Sequence, residues 1–182
     1  MLSKLKIEIR KHIDQKHNDK EDKTKQISWC RIELWNNNNV NLSAYIYEKL
    51  VPLPVPHDRL WLELDESGNV LIHNKESKPV FISSTTLQEN AFSSGKWPVV
   101  RVAPGQSVTA FNKKLFAHLL QSETETRPGQ LSLLHSAVIH ISPQKGWGPG
   151  YQRVQFIQCP VRYEIWLSLQ GVYLIRGAEK IN

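Results

Sequence analysis

The sequence predicts a mainly β protein, an antiparallel β-sandwich capped by a small helical bundle at one end. Three observations carry this. Short runs of alternating apolar and polar residues recur from Ile27 onward, turn-forming residues separate them, and one stretch after Asn112 has helical spacing instead. Many short antiparallel strands with turn signals favour two packed sheets over a parallel core.

Residues 1–27 stand apart as a charged N-terminal helix or linker. Leu2, Leu5, Ile9 and Ile13 fall near one helical face, and "QKHNDKEDKTKQ" after them contains no apolar residue. The segment reads as a short amphipathic helix running into a solvated linker, and equally as a tail with nascent helix. Residues 28–182 form the domain. "ISWCRIELW" alternates, "NNNN" forces a turn, and "LSAYIYEKL" pairs back as a hairpin. "VPLPVPHD" has prolines at alternate positions, which confines it to an edge or an extended connection. "LWLEL", "DESGN" and "VLIHN" make a second hairpin that turns at Gly68. "KPVFISS" is the next strand, and "VVRVAPGQSVTAF" reads as strand, Pro-Gly turn, strand.

Asn112 is placed to cap "KKLFAHLLQ", where Leu115 with Leu119 and Phe116 with Leu120 stand four apart. "SETETRPG" breaks that helix. In "QLSLLHSAVIHIS" the period does not choose: Leu131, Leu134 and Val138 suit a helix, and residues 138–142 suit a strand. "RVQFIQCPVRYEIWLSLQGVYLI" returns to strand texture.

The chain has 182 residues, 40% of them hydrophobic, enough for one packed core with an appendage. Six Trp each need a packed slot. A formal charge of +6 and a pI near 9.3 suit an acidic partner: nucleic acid, an anionic membrane or a phosphorylated protein. Two cysteines, Cys30 and Cys159, exclude a disulfide scaffold and a Cys-rich zinc site. The first residues hold no apolar run of signal-peptide or membrane-span length, so an intracellular protein with reduced thiols is expected. HExxH, GxSxG and P-loop signatures are absent, and the seven His are scattered. His135 and His140 have the wrong spacing for one helical face, Asp65 and Glu66 read as a solvated turn, and Cys159 reads as a buried thiol in a strand-like run. Neither an enzyme nor a cofactor or metal is expected.

The stretch that asks for a function is "QKGWGPGYQRVQF", residues 144–156. Gly146, Gly148 and Gly150 allow positive φ, so the chain can fold tightly around Trp147 as anchor. Lys145, Tyr151 and Arg153 then offer a point charge, a hydroxyl and a guanidinium fork, a set that suits a phosphate or a carboxylate. The competing reading is a hairpin tip with ordinary surface charges.

"KGWGPGYQR" resembles the receptor- and phosphoserine-reading loop of the Smad C-terminal (Mad homology 2) domain, with its pattern Lys-Gly-Trp-Gly-x-x-Tyr-x-Arg. "SWCRIELW" is similar to that domain's opening strand, and "GNVLIHNKESKPVFISSTTL" to its central hairpin, in the form found in inhibitory Smads. "VVRVAPGQSVTAFNKKLFAHLLQ" and "CPVRYEIWL" resemble later segments in the same order, so the likeness covers roughly residues 28–170. It implies a sandwich with helices at one end and a loop-helix face at the other. It also implies that Lys145, Tyr151 and Arg153 hold a phosphoserine-bearing partner.

The sequence departs from the family in three places. The insert between "ISWCRIELW" and "LWLELDESG" is short and proline-rich, which alters surfaces that include part of the usual trimer contact. Val161-Arg162 replaces the family's Cys-Trp, and "GAEKIN" lacks the Ser-Ser-x-Ser of receptor-regulated Smads. The resemblance therefore implies an inhibitory Smad-like adaptor in transforming-growth-factor-β/bone-morphogenetic-protein signalling, in cytoplasm and nucleus. Expected partners are phosphorylated type I receptors, receptor-regulated Smads and other transcription factors, with no DNA bound directly and no membrane insertion. A common-mediator Smad is the alternative within the family. A nucleic-acid-binding β-domain is the alternative outside it.

Overall fold

The computed structural model describes residues 27–87, 98–122 and 137–168. Among them ten strands form two antiparallel sheets. β1 (Cys30–Asn36) buries Cys30, Ile32 and Leu34 and turns its alternate residues outward. It pairs with β2 (Asn39–Ile46) across Asn37 and Asn38, which sit at φ 45° and 65°. Asparagine enters this left-handed region more readily than most residues, which is how the asparagine run makes the turn. β3 (Leu50–Pro52) is an edge strand on β4 (Leu60–Leu64), the place to which prolines confine it. β4 and β5 (Val70–Asn74) form the second hairpin, with Gly68 at φ 81°. The Asp65 carboxylate holds that turn by accepting the N–H groups of Ser67 and Asn69, both at 2.8 Å.

β6 (Val80–Ser84) is buried along its whole length, so both of its faces are covered. β7 (Val100–Val102) pairs with β6, whereas β8 (Ser107–Phe111) pairs with β5. "VVRVAPGQSVTAF" is thus strand, turn, strand, and its two strands lie in different sheets. The Pro104–Gly105 corner carries the chain across, and buried Asn74 fastens it by donating to the carbonyls of Val102 and Lys78, both at 3.0 Å. α1 (Lys113–Ser122) starts where Asn112 Oδ1 accepts the Leu115 N–H at 3.0 Å. β9 (Val138–Pro143) and β10 (Val161–Leu167) complete the larger sheet, in the order β2-β1-β10-β9-β6-β7. The smaller sheet runs β3-β4-β5-β8. The core between them includes Ile32, Leu62, Ile72, Ile82, Ile139 and Ile165, all fully buried.

One strand expectation fails. Residues 153–160 continue the loop instead of starting a strand, and a 3-10 turn occupies Phe156–Gln158. β10 has no partner there: Val161 pairs with Asn36, the last residue of β1, and Asn37 N–H closes the ladder on Pro160 O at 2.8 Å. Residues 138–143 are strand, which settles that part of the helix-or-strand ambiguity. The helical alternative at 131–136 lies outside the described residues, as do the segment 1–26, His135, and "LQGVYLI" with the tail that follows it.

Candidate functional site: the glycine loop on the larger sheet

β9 ends at Pro143, and Gln144 turns the chain at φ 68° while its N–H donates to Pro79 O at 3.2 Å. The loop then closes on itself. Gly148 N–H donates to Arg153 O at 2.7 Å, and Tyr151 N–H donates to Gly148 O at 3.1 Å. Gly148 and Gly150 both sit at φ 88°. Gly146 does not, contrary to the expectation from sequence. Its role is close approach: a Cβ there would overlap Cδ1, Cε1 and Cζ of the Tyr151 ring.

Beneath the loop lies a small apolar cluster separate from the inter-sheet core. Trp147, Phe81 and Cys159 are buried, with Val99 and Phe156 packed against them. Trp147 and Phe156 rings are 4.8 Å apart, and Phe81 meets Tyr151 edge-on at 5.5 Å, within the range of favourable aromatic contact. The outward face of β6 is therefore covered by the loop. Cys159 is fully buried, as a structural thiol, although it ends the 3-10 turn and is not in a strand.

Lys145 and Tyr151 are exposed and Arg153 is half-buried. Tyr151 lies over Gly146, the residue after Lys145, and Arg153 closes the loop through its carbonyl. All three residues stand on this one loop and make up its polar rim, and their side chains make no hydrogen bond with one another. Among the described residues neither Lys145 nor Arg153 is paired with a carboxylate, so both charges remain available to a ligand.

Residues that the sequence alone does not link to the loop support it from other strands. Arg162, which alternation turns outward, is almost fully buried. Its guanidinium stacks over Trp35 at 4.8 Å. Nη1 donates to Asn38 Oδ1 at 3.0 Å and to the carbonyls of Ile157 and Cys159, both at 3.4 Å. It ties the exit of the loop to the β1–β2 turn. His140 stacks on Phe156 at 4.4 Å, and burial, followed by the charge of Arg162, pushes its pKa down to about 4. Burial pushes Glu164 up, against the pull of Arg162. The sequence signal for this layer is the unbroken apolar run "VFI" of β6, which suits a strand covered on both faces.

Elsewhere the outer face of the smaller sheet carries a line of polar groups. His73 Nδ1 lies 2.7 Å from Ser107 Oγ and its Nε2 lies 2.6 Å from Glu63 Oε2. These are neighbours across β8, β5 and β4, the cross-strand pairing that stabilises an open sheet face. Among the described residues no group of three or more His, Cys, Asp or Glu could hold a metal, and no helix is long and apolar enough to cross a membrane.

The fold and its displayed chemistry define an antiparallel β-sandwich domain that presents a basic, aromatic loop on the face of one sheet. The chain belongs to the MH2 domain family, whose model matches residues 59–168. MH2 domains are in general protein-interaction domains. The chain is 28% identical over 115 residues to Dwarfin sma-3 of Caenorhabditis elegans, and 31% identical over 107 residues to Mothers against decapentaplegic homolog 6 of Gallus gallus. These matches cover 60% and 57% of the chain, and only 28% and 23% of the two relatives. The chain thus spans about a quarter of the length of the curated relatives it matches. In fold it is similar to the interferon regulatory factor 9 IAD domain, with a TM-score of 0.54 at 8% identity, covering 88% of this chain and 93% of that one. β1 and β2 precede the matched segment, and β1 is paired with β10 inside it.

Proposed function

We propose that this domain is a non-catalytic adaptor that binds phosphoserine-bearing partners through Lys145, Tyr151 and Arg153. The partners are activated type I receptors or receptor-regulated Smads, and the setting is transforming-growth-factor-β/bone-morphogenetic-protein signalling in cytoplasm and nucleus. One observation carries the reading: two cations without carboxylate partners among the described residues stand on a loop that is fixed over its own aromatic cluster. A loop backbone that is already folded suits phosphate binding, because ordering on binding is then confined to the two cationic side chains. The inhibitory role rests on the likeness of the β5–β6 segment, whose two strands lie in different sheets rather than in a hairpin, to that branch. Pro149 in "KGWGPGY" favours the common-mediator branch as the second reading.

The test is titration of the chain with Ser-x-Ser peptides, phosphorylated and not, alongside melting curves. Arg153→Ala removes a charge-assisted bond typically worth about 1.5–3 kcal/mol, which is roughly ten- to hundredfold in affinity for the phosphopeptide. Arg153→Lys restores only part, since an ammonium lacks the bidentate fork. Trp147→Ala lowers both affinity and melting temperature, because it empties an aromatic slot. Unaltered phosphopeptide binding by Arg153→Ala would sink the assignment. Steeply salt-dependent binding to any DNA or RNA would favour a nucleic-acid role instead.

A further inference from the structure

The loop continues past Arg153 into a surface with a different chemistry. Val154 is 73% exposed and Ile157 57% exposed, while Phe156 between them turns inward onto Trp147. This is a folded turn and not a frayed one. Gln155 N–H donates to Gln158 Oε1 at 3.0 Å, Gln158 N–H returns to Gln155 O at 3.1 Å, and Cys159 N–H donates to Phe156 O at 2.9 Å. Arg162 holds the carbonyls of Ile157 and Cys159 from below. Two aliphatic side chains are therefore held in water by a turn that its own hydrogen bonds and Arg162 keep in place. Covering them would gain hydrophobic free energy at little cost in order.

Charge sorts the loop into two ends. Lys145 and Arg153 bracket the glycine segment, and "VQFIQCPV", residues 154–161, carries no charged side chain. A ligand with an anion and an aliphatic group has one way to lie across it. From Arg153 to Ile157 the chain covers roughly 8–13 Å, depending on whether it runs as 3-10 helix or extended. An extended peptide covers that in about two to four residues, and Val154 is nearer still.

We propose that Val154 and Ile157 form an apolar shelf that selects phosphoserine peptides carrying an aliphatic side chain within about four residues of the phosphate. This rests on the phosphoserine reading of Lys145, Tyr151 and Arg153. The experiment uses the full chain and one peptide sequence in four forms: serine phosphorylated or not, and flanking residue leucine or glutamine. The same titrations are run on the double variant Val154→Thr, Ile157→Thr, in which both positions stay β-branched and exposed.

The expected result is that the leucine phosphopeptide binds the parent about five- to tenfold more tightly than the glutamine phosphopeptide. The double variant loses that difference and keeps its affinity for the glutamine phosphopeptide. If phosphate dependence is intact and the flanking residue makes no difference, the shelf is wrong and the loop reading stands. If phosphorylation does not improve binding of either peptide, the loop reading fails and the shelf fails with it.

Discussion

At Gly148 the backbone sits at φ 88° and the space around it is open, the nearest atom to an added Cβ being Val99 Cγ2 at 3.8 Å. Alanine there costs about 1–2 kcal/mol of left-handed strain and leaves the rim in place. Gly146 is the reverse case. Its backbone is unstrained for alanine, yet the new Cβ would displace the Tyr151 ring from its place against Phe81. That ring is 39% exposed and can swing into solvent, so stability changes little. The rim loses its hydroxyl, and phosphopeptide affinity falls about tenfold, the scale of one hydrogen bond to a charged group. Gly146→Ala is therefore expected to separate binding from melting temperature, and Gly148→Ala to do the opposite. Equal effects of both variants on titration and melting would refute this division. The sequence makes glycine legible at both positions through their pattern around Trp147. It does not tell strain from close approach, because Tyr151 reaches Gly146 only once the loop has closed.

The strands show what alternation can and cannot reveal. β1, β4 and β5 are legible because each faces the core on one side and solvent or a partial cover on the other. β7 and β8 are legible as strands, but their assignment to different sheets depends on Asn74 and the Pro104–Gly105 corner. The exit of the loop departs from the strand expectation because "RVQFIQ" has strand composition, and composition does not record that β1 has already ended. Arg162 is where the two elements meet. Removing its guanidinium by Arg162→Ala leaves the carbonyls of Ile157 and Cys159 without this donor and empties the space over Trp35. The expected loss is about 2–4 kcal/mol in urea unfolding, with phosphopeptide affinity falling as the loop exit loosens. Arg162→Lys keeps the charge without the planar stack and recovers only part. A loss below about 0.5 kcal/mol would show that the loop exit does not depend on this residue.

For the whole molecule, the groups buried around the larger sheet couple stability to pH. His140 has its folded pKa lowered to about 4, by burial first and then by Arg162. His57 is also lowered by burial, against the pull of Glu76. Above pH ~6.5 both states hold a neutral imidazole and His140 contributes no slope. As pH falls from there toward 4, the unfolded chain takes up a proton on residue 140 that the folded protein refuses. Unfolding then becomes easier by about 1.4 kcal/mol per pH unit, on the order of 3 kcal/mol across the window. That is a large share of the roughly 5–15 kcal/mol typical of a domain. Glu164 acts in the opposite sense: its pKa is raised by burial, so the folded state takes up that proton first and offsets part of the loss at the acid end. The loss from His140 is therefore expected to build as pH falls from ~6.5 toward 4, with Glu164 offsetting part of it where the folded state takes up that proton first. His140→Phe keeps a ring against Phe156 and removes the titration, so its melting temperature should fall less over that interval than the parent's. A parent melting temperature that stays flat from pH 7 to 5 would show that the buried imidazole is not held neutral by the fold.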